Sequence, residues 1–178
     1  ITITCINTWL AKATGDYNDR NETVNLEVYY YTVGKDDTKT YTYETKRVEY
    51  IDVPAIEDIV ADQYVLVNMS GKDRGDSISD FDVVKVSDVE ILTDATVTRF
   101  SQSGNDTTEG FFSSLTADGE KYNSSKMAAY SEDVLDLYAD SLLTDTSYNV
   151  YLDQYGYAIG VDLYEGTLNY VFITGYDL

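Results

Sequence analysis

Histidine is absent from this 178-residue chain, and cysteine, proline and tryptophan occur once each. Without imidazole, Ser-His-Asp and Cys-His nucleophilic catalysis and histidine metal ligation are excluded. One thiol builds neither a zinc site nor an intrachain disulfide, so the sequence gives no sign of an oxidatively stapled scaffold. That residue, Cys5, is expected as a small buried hydrophobe in an alternating strand rather than as a reactive thiol. No P-loop or dinucleotide-binding glycine motif occurs. No apolar run approaches the roughly 18 residues that cross a bilayer as a helix. Positive charge is scarce as well: 12 Lys and Arg stand against 32 Asp and Glu, a formal charge of -20. Such a surface repels nucleic-acid phosphates and anionic membrane surfaces over a Debye length, so neither nucleic acid nor membrane insertion is expected. The opening ITITCI has no initiator methionine and no charged leader, which reads as a piece of a longer protein.

In place of these the chain carries 18 tyrosines, with threonine beside many of them. That pairing suits pleated surfaces on which a ring packs while its hydroxyl meets water, and so many aromatics argue against disorder. The segment from Ser147 to Gly166 is the clearest hairpin: Tyr148, Val150 and Leu152 alternate with Asn149, Tyr151 and Asp153. After Asp153-Gln154-Tyr155-Gly156 the alternation resumes in Ile159, Val161 and Leu163. The run from Tyr64 and the run from Val83 to Glu90 repeat that order with a longer, acidic loop between them, Gly71 to Asp82.

Taken from the start, residues 1–13 read as a first strand with Trp9 on one side and Ile6 and Thr8 on the other. A polar loop follows from Gly15 to Glu22. A second strand then turns Val24, Leu26, Val28 and Tyr30 inward, and Thr38 to Ile51 form its antiparallel partner. Pro54 opens a short helix, PAIEDIVA, with Ile56, Ile59 and Val60 on one face. From Asp94 the order recurs: a strand over Ala95 to Phe100, a polar loop from Ser101, and Phe111 to Leu115. The Asp118-Gly119 turn leads into Glu120 to Asn123, and Ser131 is an N-cap for a helix over 132–139. Each half thus reads strand, strand, strand, short helix, strand, strand. The fold class expected is mainly β with short helices, as two tandem five-stranded OB-like small barrels. The expected modules are residues 1–92 and 93–178, with Ile91-Leu92-Thr93-Asp94 as a short link that limits swing. Residues 167–178 are a closing strand or the start of a further unit.

Few residues in this frame suggest chemistry. Asp73, Asp76, Asp80 and Asp82 share one loop and offer oxygen ligands for calcium, yet they and Asp16-Tyr17-Asn18-Asp19 miss the EF-hand spacing, so a solvated acidic loop is the favoured reading and the metal stays unknown. Arg74-Gly75-Asp76-Ser77 spells an adhesive tripeptide that arises readily by chance. Asn21, Asn68, Asn105 and Asn123 begin glycosylation acceptor triplets, relevant only in a glycosylating source. Paired carboxylates suit glycoside hydrolysis, but nothing marks out an acid with a raised pKa. Tyr29, Tyr31, Tyr41, Tyr43, Tyr151, Tyr155, Tyr157 and Tyr164 offer a sugar-stacking platform. The favoured alternative is that they cover a sheet or meet the neighbouring module, since Trp, the stronger stacking residue, occurs only at position 9.

The tyrosine-rich hairpin SYNVYLDQYGYAIGV, with ITCINTWLAKAT near the front, resembles the repetitive ectodomains of large surface proteins of anaerobic Gram-positive gut bacteria, which commonly carry S-layer homology domains elsewhere. The resemblance implies an extracellular, cell-wall or S-layer associated structural or adhesive module with no known chemistry, and no cofactor is expected. The wall-gripping S-layer homology repeat is itself not recognisable here, so anchoring is not assigned to this chain. The leading expectation is a non-catalytic spacer or lattice segment, with neighbouring modules of the same or like chains as partners. A carbohydrate- or host-ligand-binding adhesin module, with a glycan as partner, is the alternative, and a glycoside hydrolase comes third.

Overall fold

The computed structural model describes residues 6–33, 39–71, 77–101 and 112–166. The architecture is mainly β, in two sheets of five and six strands, with one short α-helix. The first sheet contains β1 (Ile6–Ala13), β2 (Thr23–Val33), β3 (Lys39–Glu49), β4 (Tyr64–Ser70) and β5 (Asp82–Asp88), in the spatial order β3-β2-β1-β4-β5. All its ladders are antiparallel. The inward row expected for β2 is present, with Val24, Leu26 and Val28 at 2% exposure or less. Trp9, Ala11 and Ala13 of β1 and Val65, Val67 and Met69 of β4 complete the same core. At the two edges β3 and β5 do not pair. Instead the Lys46 ammonium of β3 donates to the carbonyls of Ser79 at 2.7 Å and Phe81 at 2.9 Å, tying β3 to the segment that leads into β5.

The second sheet contains β6 (Glu90–Ala95), β7 (Val97–Ser101), β8 (Ser114–Ala117), β9 (Glu120–Tyr130), β10 (Tyr148–Leu152) and β11 (Ala158–Leu163), in the order β6-β10-β11-β9-β8-β7. Its two outer strands, β6 and β7, adjoin in sequence across Thr96 alone, so this sheet curls round on itself. β9 and β11 run parallel and every other pair is antiparallel. The Asp118-Gly119 turn forms as its sequence demands, both residues having positive φ, 50° and 83°. Asp118 also holds the bend between β6 and β7: its Oδ1 accepts the Thr96 amide at 2.8 Å while its own amide donates to the Thr96 carbonyl. The core of this half is aromatic. Phe112 lies stacked on Phe100 with ring centroids 4.4 Å apart and meets Tyr130 and Tyr138 edge-on.

Several expectations change. The helix read over PAIEDIVA is a single 3-10 turn, Pro54–Ile56; Ile56 and Ile59 are buried but Val60 is 56% exposed. Eight residues with β-branched side chains at three of the last six positions do not repay the cost of helix nucleation. Ile91 to Asp94, expected as a link, lies inside β6 and pairs with β10, leaving Val89 as the one residue between β5 and β6. The strand expected over Glu120 to Asn123 continues to Tyr130, because its far half pairs with β11, a partner distant in sequence. The helix after Ser131 is as expected, α1 (Glu132–Ala139), but the Ser131 side chain makes no capping bond. Cys5, Asp73, Asp76, the Arg74 tripeptide, the loop after Ser101 up to Phe111, and residues 167–178 lie outside the described residues.

Candidate functional site

Four strands, β1, β4, β10 and β11, are covered on both faces, and they define where the halves meet. In β1, Trp9 and Ala11 enter the first core while Leu10 points the other way. In β4, Val65 and Val67 do the same and Leu66 opposes them; in β10, Val150 and Leu152 enter the second core and Tyr151 opposes them. Leu10, Leu66, Tyr151 and Ile159 pack together, each at 4% exposure or less, with Tyr29, Tyr64 and Val89 around them. The near-continuous apolar runs of Tyr64 to Val67 and Val150 to Leu152 are what two-sided burial requires of a sequence. Gly160 of β11 makes the approach possible, since a Cβ there would collide with the Leu10 side chain. The hairpin tip completes the contact. Asp153 Oδ1 accepts the amides of Tyr155 at 2.9 Å and Tyr157 at 3.0 Å, a turn that holds Gln154 so that its amide donates to Thr8 Oγ1 of β1 at 3.2 Å.

Beside this apolar contact the sheets diverge into a groove of about 510 Å³. Six tyrosines line it: Tyr29, Tyr41, Tyr43, Tyr64, Tyr130 and Tyr151. Tyr64 and Tyr151 lie with centroids 4.4 Å apart, and Tyr29 stacks on Tyr64 at 6.4 Å. Tyr43 meets Tyr29 edge-on, and Tyr41 meets Tyr130 edge-on across the two halves. The polar lining includes Thr42, Ser131, Glu132 and Asp162, and no Lys or Arg lines the groove among the described residues. The Tyr64 hydroxyl reaches Asp162 Oδ2 at 3.5 Å, a long contact. Ser131 Oγ is buried and has no hydrogen-bond partner among the described residues.

Burial holds Tyr29, Tyr41, Tyr64, Tyr130 and Tyr151 neutral. It pushes the Tyr130 and Tyr151 hydroxyls up to about 12 each. Burial likewise raises Tyr29, Tyr41 and Tyr64, with neighbouring tyrosines as the next cause. A phenol held this far above neutrality is a hydrogen-bond donor and a π face, and it is a poor base or nucleophile.

Of the tyrosines named from the sequence, Tyr29, Tyr41, Tyr43 and Tyr151 come together in the groove. Tyr31 packs on Tyr41 at its margin, and Tyr155 and Tyr157 stand exposed at the hairpin tip. Tyr164 is half-buried beyond the end of β11. Sequence reading missed Tyr64 and Tyr130. Parity was the available signal for Tyr64, which shares a strand face with Leu66; Tyr130 ends a strand whose length depends on a distant partner. Of the acids named for calcium, Asp16 accepts the Ala61 amide, Asp80 accepts the Ser77 amide, and Asp82 begins β5. No acidic or cysteine cluster able to hold a metal occurs among the described residues. No known protein family, curated protein or solved structure matches the chain.

Proposed function

We propose that the chain is a rigid, non-catalytic structural module of a bacterial cell-surface, S-layer-like protein, composed of two tandem OB-like barrels that act as one stiff segment. The observation that carries this reading is the junction. One residue, Val89, separates the sheets, and Leu10, Leu66, Tyr151 and Ile159 fill the space between them. Two modules so joined lose the hinge freedom that a signalling or capture linker uses and gain the stiffness that a spacer needs. The OB-like reading is supported by the strand ring of the second half and by the same neighbour relations, unclosed, in the first. The acidic surface supports an extracellular setting in which like-charged modules stay dispersed. Antibody raised against the chain tests this on intact, unpermeabilised cells of its source. Surface labelling, with flat turnover on a panel of aryl glycosides, is the expected result; labelling only after permeabilisation, or hydrolysis of any glycoside in the panel, overturns it.

A further inference from the structure

We infer that the groove between the sheets is a binding site for a small quaternary ammonium alcohol, of which choline is the simplest probe. The inference goes beyond the spacer role and stands apart from it. Charge complementarity selects the ligand class. The two ionisable non-tyrosine side chains that line the groove, Glu132 and Asp162, are both acidic. Lys12, which sits over the Tyr64 ring at 5.7 Å, is engaged by Asp62 at 2.9 Å and does not line the groove. An anionic ligand would meet two carboxylates, six electron-rich rings and a strongly acidic protein.

The walls then choose among cations. A primary ammonium is strongly hydrated and needs acceptors on every side to leave water, whereas a quaternary ammonium has no N–H to satisfy and is drawn to aromatic faces. Tyr43, which meets Tyr29 edge-on and is 53% exposed, presents ring surface to the groove. Asp162 supplies the counter-charge beside Tyr64. Ser131 Oγ, buried and without a partner among the described residues, is the group that a ligand hydroxyl would satisfy. The volume of about 510 Å³ lies in the range of small-molecule sites and leaves room for the ligand with some water.

The test titrates the intact chain with choline, with its neutral carbon isostere in which a tert-butyl group replaces the trimethylammonium, and with neutral oligosaccharides, following amide and tyrosine ring resonances by NMR. Saturable choline binding that shifts Tyr43 and Tyr41, and is on the order of tenfold tighter than the isostere, is expected. Asp162→Asn weakens choline by roughly fivefold to tenfold and leaves the isostere unchanged. Tyr43 is 53% exposed, so Tyr43→Ala keeps the fold and weakens choline. The inference is overturned if the isostere binds as tightly as choline, if an oligosaccharide binds the groove in preference, or if choline shows no saturable shifts there.

Discussion

The two sheets, of five and six strands, differ in how their ends are brought together. In the second half, parallel pairing of β9 with β11 carries the ladder on with backbone hydrogen bonds, and Asp118 holds the bend at Thr96 through its carboxylate and its amide. In the first half no ladder joins β3 to β5, and one side chain, Lys46, spans the gap to two carbonyls. Backbone closure spreads its stabilisation over many weakly polar bonds, whereas the lysine concentrates it in two charge-assisted ones. Burial works against that charge and lowers the Lys46 pKa, with Glu44, Asp82 and Asp80 opposing the shift. The neighbouring carboxylates thus offset part of the burial penalty on the closing lysine.

The comparison breaks most visibly at the second core. Phe112→Ala removes a fully buried ring shared by Phe100, Tyr130 and Tyr138 and is expected to cost about 3–5 kcal/mol in chemical denaturation. Because the halves are packed together, hydrogen-exchange protection should fall in β1 and β4 as well; loss confined to the second half would separate the two. Leu66→Ala acts on the contact itself. It should cost about 2–4 kcal/mol and split a single calorimetric transition into two, since both cores are left intact.

Alkaline pH reaches the tyrosines that cross between the halves. Tyr130 and Tyr151 have folded pKa values raised to about 12 from an ordinary 10.0, so their contribution is complete below pH 10.0 and is lost as pH rises through about 12. The part of the tyrosinate absorbance that Tyr130→Phe removes should therefore change together with circular dichroism in that window, and the substitution should move the unfolding midpoint to higher pH. The contribution at stake for the buried Tyr130 is about 2–3 kcal/mol. A tyrosinate signal that runs well ahead of unfolding would show that the rings titrate in the folded state.

Smaller effects sharpen the contrast in closure. Lys46→Met should cost about 1–2 kcal/mol and increase exchange at β3 and β5 without touching β9 or β11. Gly119→Ala, at a φ of 83°, should cost about 1 kcal/mol and be felt at β8 and β9 alone.

What could be read from the sequence follows a physical line. Strands with one wet face announced themselves by alternation, as β2 did with Val24, Leu26 and Val28, and the Asp118-Gly119 turn was fixed by local φ preference. The stretch at Pro54 reads as a helix because an acidic, β-branched run has helical spacing without helical stability. Ile91 to Asp94 read as a link because a bent strand that changes partners at Thr96 has no local signature. The groove was half visible. Tyrosines on both flanks were marked as facing a neighbour or a sugar, but their convergence depends on Gly160 admitting Leu10 and on the parallel β9–β11 ladder, both long-range facts.

Residual dipolar couplings from backbone amides of the intact chain, measured in one aligned medium, put the rigid junction to its sharpest trial. If Leu10, Leu66, Tyr151 and Ile159 bind the sheets into one body, couplings from β1–β5 and from β6–β11 will fit a single alignment tensor in magnitude and orientation. Two tensors of unequal magnitude would mean that the halves move independently, and the stiff-segment account would be wrong.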